Sequence, residues 1–189
     1  MRRTITCALL MAGLAAVGLG QTDKSKYMTP NEKSPPKETS VTINGKQIWI
    51  VYHAPSVRGR KIFGGADALQ KDGTAWRLGA DQATFLHTDA DLNINGLAVP
   101  AGEYTLFAEL GEGQWQLVVN KQTGQWGIKR GGVANFDEAQ NVGKTRMTMS
   151  KPSAPVETLK ITLSSAGGNN GKLQVEFENV VASVPFSVK

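Results

Sequence analysis

Arg58-Gly59-Arg60-Lys61, with Trp76-Arg77 and Asp81 a short distance downstream, is the group of residues whose types best suit ligand chemistry. Guanidinium groups present planar forks of donors that match a carboxylate or a phosphate, and an indole face stacks on a sugar ring or on a guanidinium. Glycines at 59, 64 and 65 let backbone approach a ligand closely. Arg58, Arg60, Lys61, Trp76, Arg77 and Asp81 are therefore the candidate ligand-binding residues, for a small anionic or carbohydrate ligand. The same residues also support a structural reading, in which an Arg77–Asp81 ion pair pins the loop and Trp76 belongs to the core.

Other chemistries find less support. The two histidines, His53 and His87, have no H-E-x-x-H or H-x-H spacing, and a zinc site needs three or four ligands. Both read as packed or rim histidines. Asp89-Ala90-Asp91-Leu92-Asn93 begins like a calcium loop, but Ile94 stands where glycine is needed and Pro100 where the closing glutamate is needed. Gly131-Gly132 after Lys129-Arg130 lacks the spacing of a phosphate loop. No metal and no cofactor is expected. Ser56 lies three residues after His53 without a G-x-S-x-G elbow, so a hydrolase acting on a polysaccharide or ester is the alternative, requiring His53, Ser56 and Asp81 to converge. No catalytic residue is assigned.

The elements that must position these residues are strands. Leu159, Ile161 and Leu163 alternate with polar neighbours, as do Leu173, Val175 and Phe177, and Trp115, Leu117 and Val119 alternate except at Val118. That period of two predicts strands with one face in the core and one in water. Asn44-Gly45 and Asn95-Gly96 separate apolar runs and supply the positive φ angles of tight hairpins. Only 67–71 and 135–140 suit short helical turns. About ten short strands of this kind predict an all-β fold, an antiparallel β-sandwich. Trp49 and Trp115 fall on strands as core residues, and Trp126, beside Gly127, is the exposed one.

The chain has 189 residues, one Cys and a formal charge of +5, which excludes a disulfide scaffold and a disordered chain. Arg2 and Arg3 precede an apolar run from Ile5 to Leu19 ending in small residues, the pattern of a signal peptide over 1–20 cleaved near Gly20. Export to the periplasm or the cell exterior is the expectation, with no transmembrane span in the mature protein. Cys7 falls inside the signal, so the mature chain lacks thiols. Losing Arg2 and Arg3 takes two from the +5 and leaves +3, too weak for a nucleic-acid reader. Residues 21–38, with Pro30, Pro35 and Pro36 among charged residues, predict a flexible polar leader, followed by a single domain over 39–189. An assembly subunit that pairs edge strands with a partner is a further alternative.

Five ordered segments carry a resemblance. They are Ala54-Pro55-Ser56-Val57-Arg58-Gly59-Arg60-Lys61-Ile62-Phe63-Gly64-Gly65, Ala75-Trp76-Arg77-Leu78-Gly79-Ala80-Asp81-Gln82-Ala83-Thr84, Val99-Pro100-Ala101-Gly102-Glu103-Tyr104-Thr105-Leu106-Phe107, Asn120-Lys121-Gln122-Thr123-Gly124-Gln125-Trp126-Gly127 and Ala182-Ser183-Val184-Pro185-Phe186. From about Val41 to Phe186 the chain resembles an exported bacterial family known as domain of unknown function twenty-nine eleven. The resemblance implies an envelope location, a β-rich domain and no established activity. In that family the Trp-Arg-x-Gly-Ala run usually continues with Asn and Glu, where Asp81 and Gln82 stand here.

Overall fold

Apolar alternation and Asn-Gly turns produce thirteen strands in the computed structural model, which describes residues 23–31, 33–129 and 132–189. In chain order they are β1 (Pro36–Ile43), β2 (Lys46–His53), β3 (Ala75–Trp76), β4 (Phe85–Thr88), β5 (Leu92–Ile94), β6 (Leu97–Val99), β7 (Gly102–Glu109), β8 (Gln116–Asn120), β9 (Asn141–Arg146), β10 (Thr148–Ser150), β11 (Val156–Gly167), β12 (Asn170–Glu178) and β13 (Val180–Val188). All pairings are antiparallel, and two sheets face each other. One has the order β1-β2-β4-β7-β8-β9 with β3 also on β7, and the other β11-β12-β13-β5-β6 with β10 also on β13. The fold is the all-β sandwich that the alternation predicts.

Inward residues of both sheets, among them Ile50, Leu106, Leu117, Leu159, Val175 and Val184, merge into one buried core. At one end of it Phe63, Trp76, Trp115 and Phe177 form an aromatic cluster. Phe63 meets Trp115 edge-on at 4.7 Å, and Trp76 lies 6.0 Å from Trp115 and 6.3 Å from Phe177.

The first sheet corrects the expectation of a wet outer face. Trp49, Val51, Phe107 and Val118 point away from the sandwich core yet are buried, because two irregular segments cross the outer surface. From the N-terminal side, Tyr27 in a 3-10 turn (Lys24–Tyr27) stacks on Phe85 with centroids 3.7 Å apart. From the other side, Phe136 stacks on Phe107 at 4.3 Å over Val118. Val118 breaks the alternation because it too has an apolar neighbour to cover. Strand β1 begins at Pro36, ahead of the expected Thr39, and part of the segment read as a leader packs against the sheet. A lone aromatic surrounded by charge gave no sign of that packing. The stretch 67–71 holds turns and no helix, whereas 3-10 geometry does occur at Glu138–Gln140. The segment read as an export signal lies outside the described residues, among which no helix is long and apolar enough to cross a membrane.

Along one margin the sheets are stitched together. Strand β11 has no further strand beside it, yet its outward N–H groups find acceptors in the opposite sheet and its flanking loop. Leu159 donates to the Pro55 carbonyl (2.9 Å), Ile161 to the Tyr52 hydroxyl (3.1 Å) and Leu163 to Thr39 Oγ1 (3.0 Å). Burial raises the Tyr52 pKa above its ordinary value, opposed by the hydrogen bond from Ile161. A phenol with a raised folded pKa contributes stability that is present below about pH 10 and lost as pH rises through the folded value. Tyr52→Phe is expected to cost about 1–2 kcal/mol in urea denaturation at neutral pH, because it orphans the Ile161 N–H. The same variant should lose stability less steeply than the parent above about pH 10.

Candidate functional site

Strands β3 and β4 both pair with the same edge of β7. Trp76 lies opposite Ala108 and Phe85 opposite Thr105, so the chain spends nine steps where β7 spends three. The extra residues, Arg77 to Thr84, are extruded from the sheet as a corner. Several bonds close it. The Trp76 indole N–H donates to the Gly79 carbonyl (3.2 Å), Thr84 Oγ1 to the Leu78 carbonyl (3.0 Å), and the Ala80 N–H to the His53 carbonyl (3.2 Å). Leu78 and Asp81 adopt positive φ of 54° each. Asp, like Asn, tolerates that conformation better than most residues, which gives a backbone reason for either at position 81.

Two glycines permit the corner to seat. A Cβ on Gly79 would stand 2.9 Å from the His53 carbonyl oxygen. Gly127, at φ +81°, packs where a Cβ would stand 2.8 Å from that of Ala83 and 3.2 Å from that of Arg77. The Asn120–Gly127 segment is thereby pressed against the root of Arg77. Buried Asn120 anchors it, donating to the Asp137 carbonyl and to Asn141 Oδ1 and accepting from the Gln122 N–H.

The corner forms one wall of a cleft of about 430 Å³. The opposite wall is the Ser56–Ile62 loop, and the segment before β1 contributes Lys33 and Ser34. Of the six candidates the structure brings Arg58, Arg60, Trp76 and Arg77 together around this space. Lys61 turns away to an ion pair with Asp67 (2.8 Å). Asp81 accepts from Asn31 Nδ2 (2.7 Å) and is not part of the lining. Nor do Arg77 and Asp81 form the anticipated ion pair: Arg77 Nη1 donates to the Trp126 carbonyl (2.8 Å), with its guanidinium 5.3 Å from the Trp126 ring. Trp76 is 3% exposed, so its indole belongs to the core and reaches the cleft only as floor. Trp126 is 54% exposed, as its turn position predicts.

Four basic residues line the cleft, Lys33, Arg58, Arg60 and Arg77, and no acidic residue does among the described residues. The three guanidinium groups are held by carbonyl oxygens alone. Arg58 Nη2 donates to the Lys33 carbonyl (2.9 Å), and Arg60 to those of Val57 (3.0 Å) and Ser56 (2.6 Å). Such bonds orient the forks without ion-pairing them, and the carboxylate of Glu157, beside this loop, accepts from the Arg58 backbone N–H (2.9 Å). Burial lowers the Arg77 pKa from its ordinary value, against the opposing field of Asp81. The floor is apolar, formed by Ile62, Trp76 and Phe177.

The hydrolase constellation does not assemble. His53 is buried with Nε2 2.9 Å from the Thr29 carbonyl, Ser56 Oγ pairs with Thr158 Oγ1 (2.9 Å), and Asp81 faces Asn31. His87 meets Asp89 (2.9 Å) on another strand. Lys33, Ser34, Ile62, Leu69 and Phe177 are among the lining residues that sequence reasoning missed. Phe177 carried the signal of an inward strand position, but nothing local shows which loop lies over it.

Fold and site together define a β-sandwich with a cationic cleft between an extruded corner and a neighbouring loop. The chain belongs to the family described as Protein of unknown function (DUF2911), which it matches over residues 34–186. This is the family that the five segments resemble. Comparison with curated proteins and with solved structures gave no match.

Gly127→Ala is expected to destabilise the fold by roughly 2–4 kcal/mol in urea denaturation, since it combines overpacking with a left-handed backbone. Gly124→Ala, at φ +68° with open space around it, should cost only about 1–2 kcal/mol.

Proposed function

We propose that this chain is an exported binding module, without catalytic activity of its own, that holds a small anion in the Arg58–Arg60–Arg77 cleft. The observation that carries this reading is the excess of positive charge in the lining of the site. Four cations converge on one concavity and the described lining supplies no acid to balance them. Like charges gathered this way repel one another and raise the local concentration of anions. Guanidinium forks already oriented by carbonyl bonds lose less freedom on binding an oxyanion than free side chains would.

The alternatives are less well supported. A sugar would need an open aromatic face, whereas Trp76 is buried and the Arg77 guanidinium lies over the Trp126 ring. A hydrolase would need His53, Ser56 and Asp81 within reach of one another, and each has another partner. Edge pairing at β11 would compete with the acceptors that Leu159, Ile161 and Leu163 already hold. Export rests on the pattern of the first twenty residues.

Thermal-shift measurements against carboxylates, phosphates, neutral sugars and divalent cations test the reading. Anions should raise the melting temperature, because a ligand at 100 times its Kd stabilises the native state by about 2.7 kcal/mol. Arg60→Ala should abolish that rise while leaving the unliganded melting temperature nearly unchanged, since its guanidinium is exposed and held only by two loop carbonyls. Stabilisation by neutral sugars alone, or an anion response that survives Arg60→Ala and Arg77→Ala, would refute it.

A further inference from the structure

The lining of the same cleft points beyond a bare anion, and we infer that its ligand is an amphipathic organic anion. An oxyanion head, carboxylate or phosphate, sits among the rim guanidinium groups, and an apolar body, a ring or short alkyl chain, lies against the exposed apolar lining. This inference rests on the anion-binding reading above and adds the chemistry of the rest of the ligand.

Three observations carry it. A cleft of about 430 Å³ is far larger than an inorganic oxyanion fills and lies within the usual range for small organic ligands. Carbon surface within reach of a ligand comes from Leu69 and Ile128, while Ile62, Trp76 and Phe177 lie almost wholly buried beneath it. Ile62 and Phe177 are aliphatic and aromatic, and the one polar atom of the Trp76 indole is already spent on the Gly79 carbonyl. Ser56, the hydroxyl nearest Arg58 in the chain, is likewise paired with Thr158. Finally, Leu69 stands at the edge of the cleft 55% exposed, on backbone held in place by its N–H to the Lys61 carbonyl (3.0 Å) and the Gln70 N–H to the Ile62 carbonyl (2.8 Å). An exposed leucine alone means little. Lining the same cleft as three arginines, it sets exposed carbon surface beside guanidinium groups, the complement of a molecule with one charged end.

Apolar burial gives this arrangement a measurable slope, because each buried methylene contributes a roughly constant free energy. The test is titration of the purified protein, at constant ionic strength and below the micelle concentration of each probe. The probes are acetate, butanoate, hexanoate and octanoate, with hexyl phosphate for the second head group and hexylamine as the charge control. Affinity should rise about fourfold per added CH₂ until the exposed apolar lining is covered. Hexyl phosphate should bind and hexylamine should not. Leu69→Ser, on the exposed edge and without consequence for folding, should weaken octanoate several-fold more than acetate. Equal affinity along the acid series, with binding still lost in Arg60→Ala, would overturn the amphipathic ligand and leave the anion site standing. Failure of every acid and of hexyl phosphate to bind, or hexylamine binding as well as hexanoate, would overturn both.

Discussion

Trp76 is where sheet, corner and cleft meet. Its backbone pairs with Ala108 as the last residue of β3, its indole N–H holds the Gly79 carbonyl, and its ring packs among Phe63, Trp115 and Phe177. Buried aromatic rings contribute large areas to a core and constrain each other's angles. Because the next residue in the chain is Arg77, the direction of that guanidinium is inherited from a side chain that has no freedom to turn. The corner beyond it adds backbone strain at Leu78 and Asp81, and strain of this kind persists only where surrounding contacts over-determine it. Here the contacts are the His53 carbonyl, the Thr84 hydroxyl and the close seat of Gly127.

Several of the family's segments thus have a positioning role that precedes any role in binding. The Val99–Phe107 segment turns a corner in which the Tyr104 hydroxyl folds back to the Pro100 carbonyl at 2.9 Å, around Gly102 at φ +153°. The Asn120–Gly127 segment carries the carbonyl that orients Arg77 and the glycine that lets it approach. Ala54–Gly65 and Ala75–Thr84 each put arginine on the cleft and each supply part of its floor. Two segments line the site, and the others hold it in shape.

The sandwich was legible because alternation is a local property: β11, β12 and β13 show it residue by residue, and Asn-Gly marks two of their counterparts' turns. The outer face of the first sheet was not legible in the same way. Its covering comes from Tyr27 and Phe136, single aromatics in polar surroundings whose partners lie far along the chain. At the site, residue type pointed to Arg58, Arg60, Trp76 and Arg77, since glycine-flanked cations beside a Trp-Arg pair are unusual in a strand-rich chain. It pointed equally to Lys61 and Asp81, which tertiary structure assigns to Asp67 and Asn31. Charge in a loop announces availability, and only packing decides direction.

The aromatic cluster has one more consequence. Trp76 ends β3, Trp115 falls not on a strand as expected but directly before β8, Phe177 belongs to the other sheet, and the two indoles stand 6.0 Å apart at 72° to each other. Transition dipoles that close and that steeply inclined couple, so the intense far-ultraviolet transitions of the pair should give the folded chain a signed exciton couplet. The molecule therefore contains its own optical gauge of how the two layers are seated, read without any label, at the floor of the very cavity where a guest would lie.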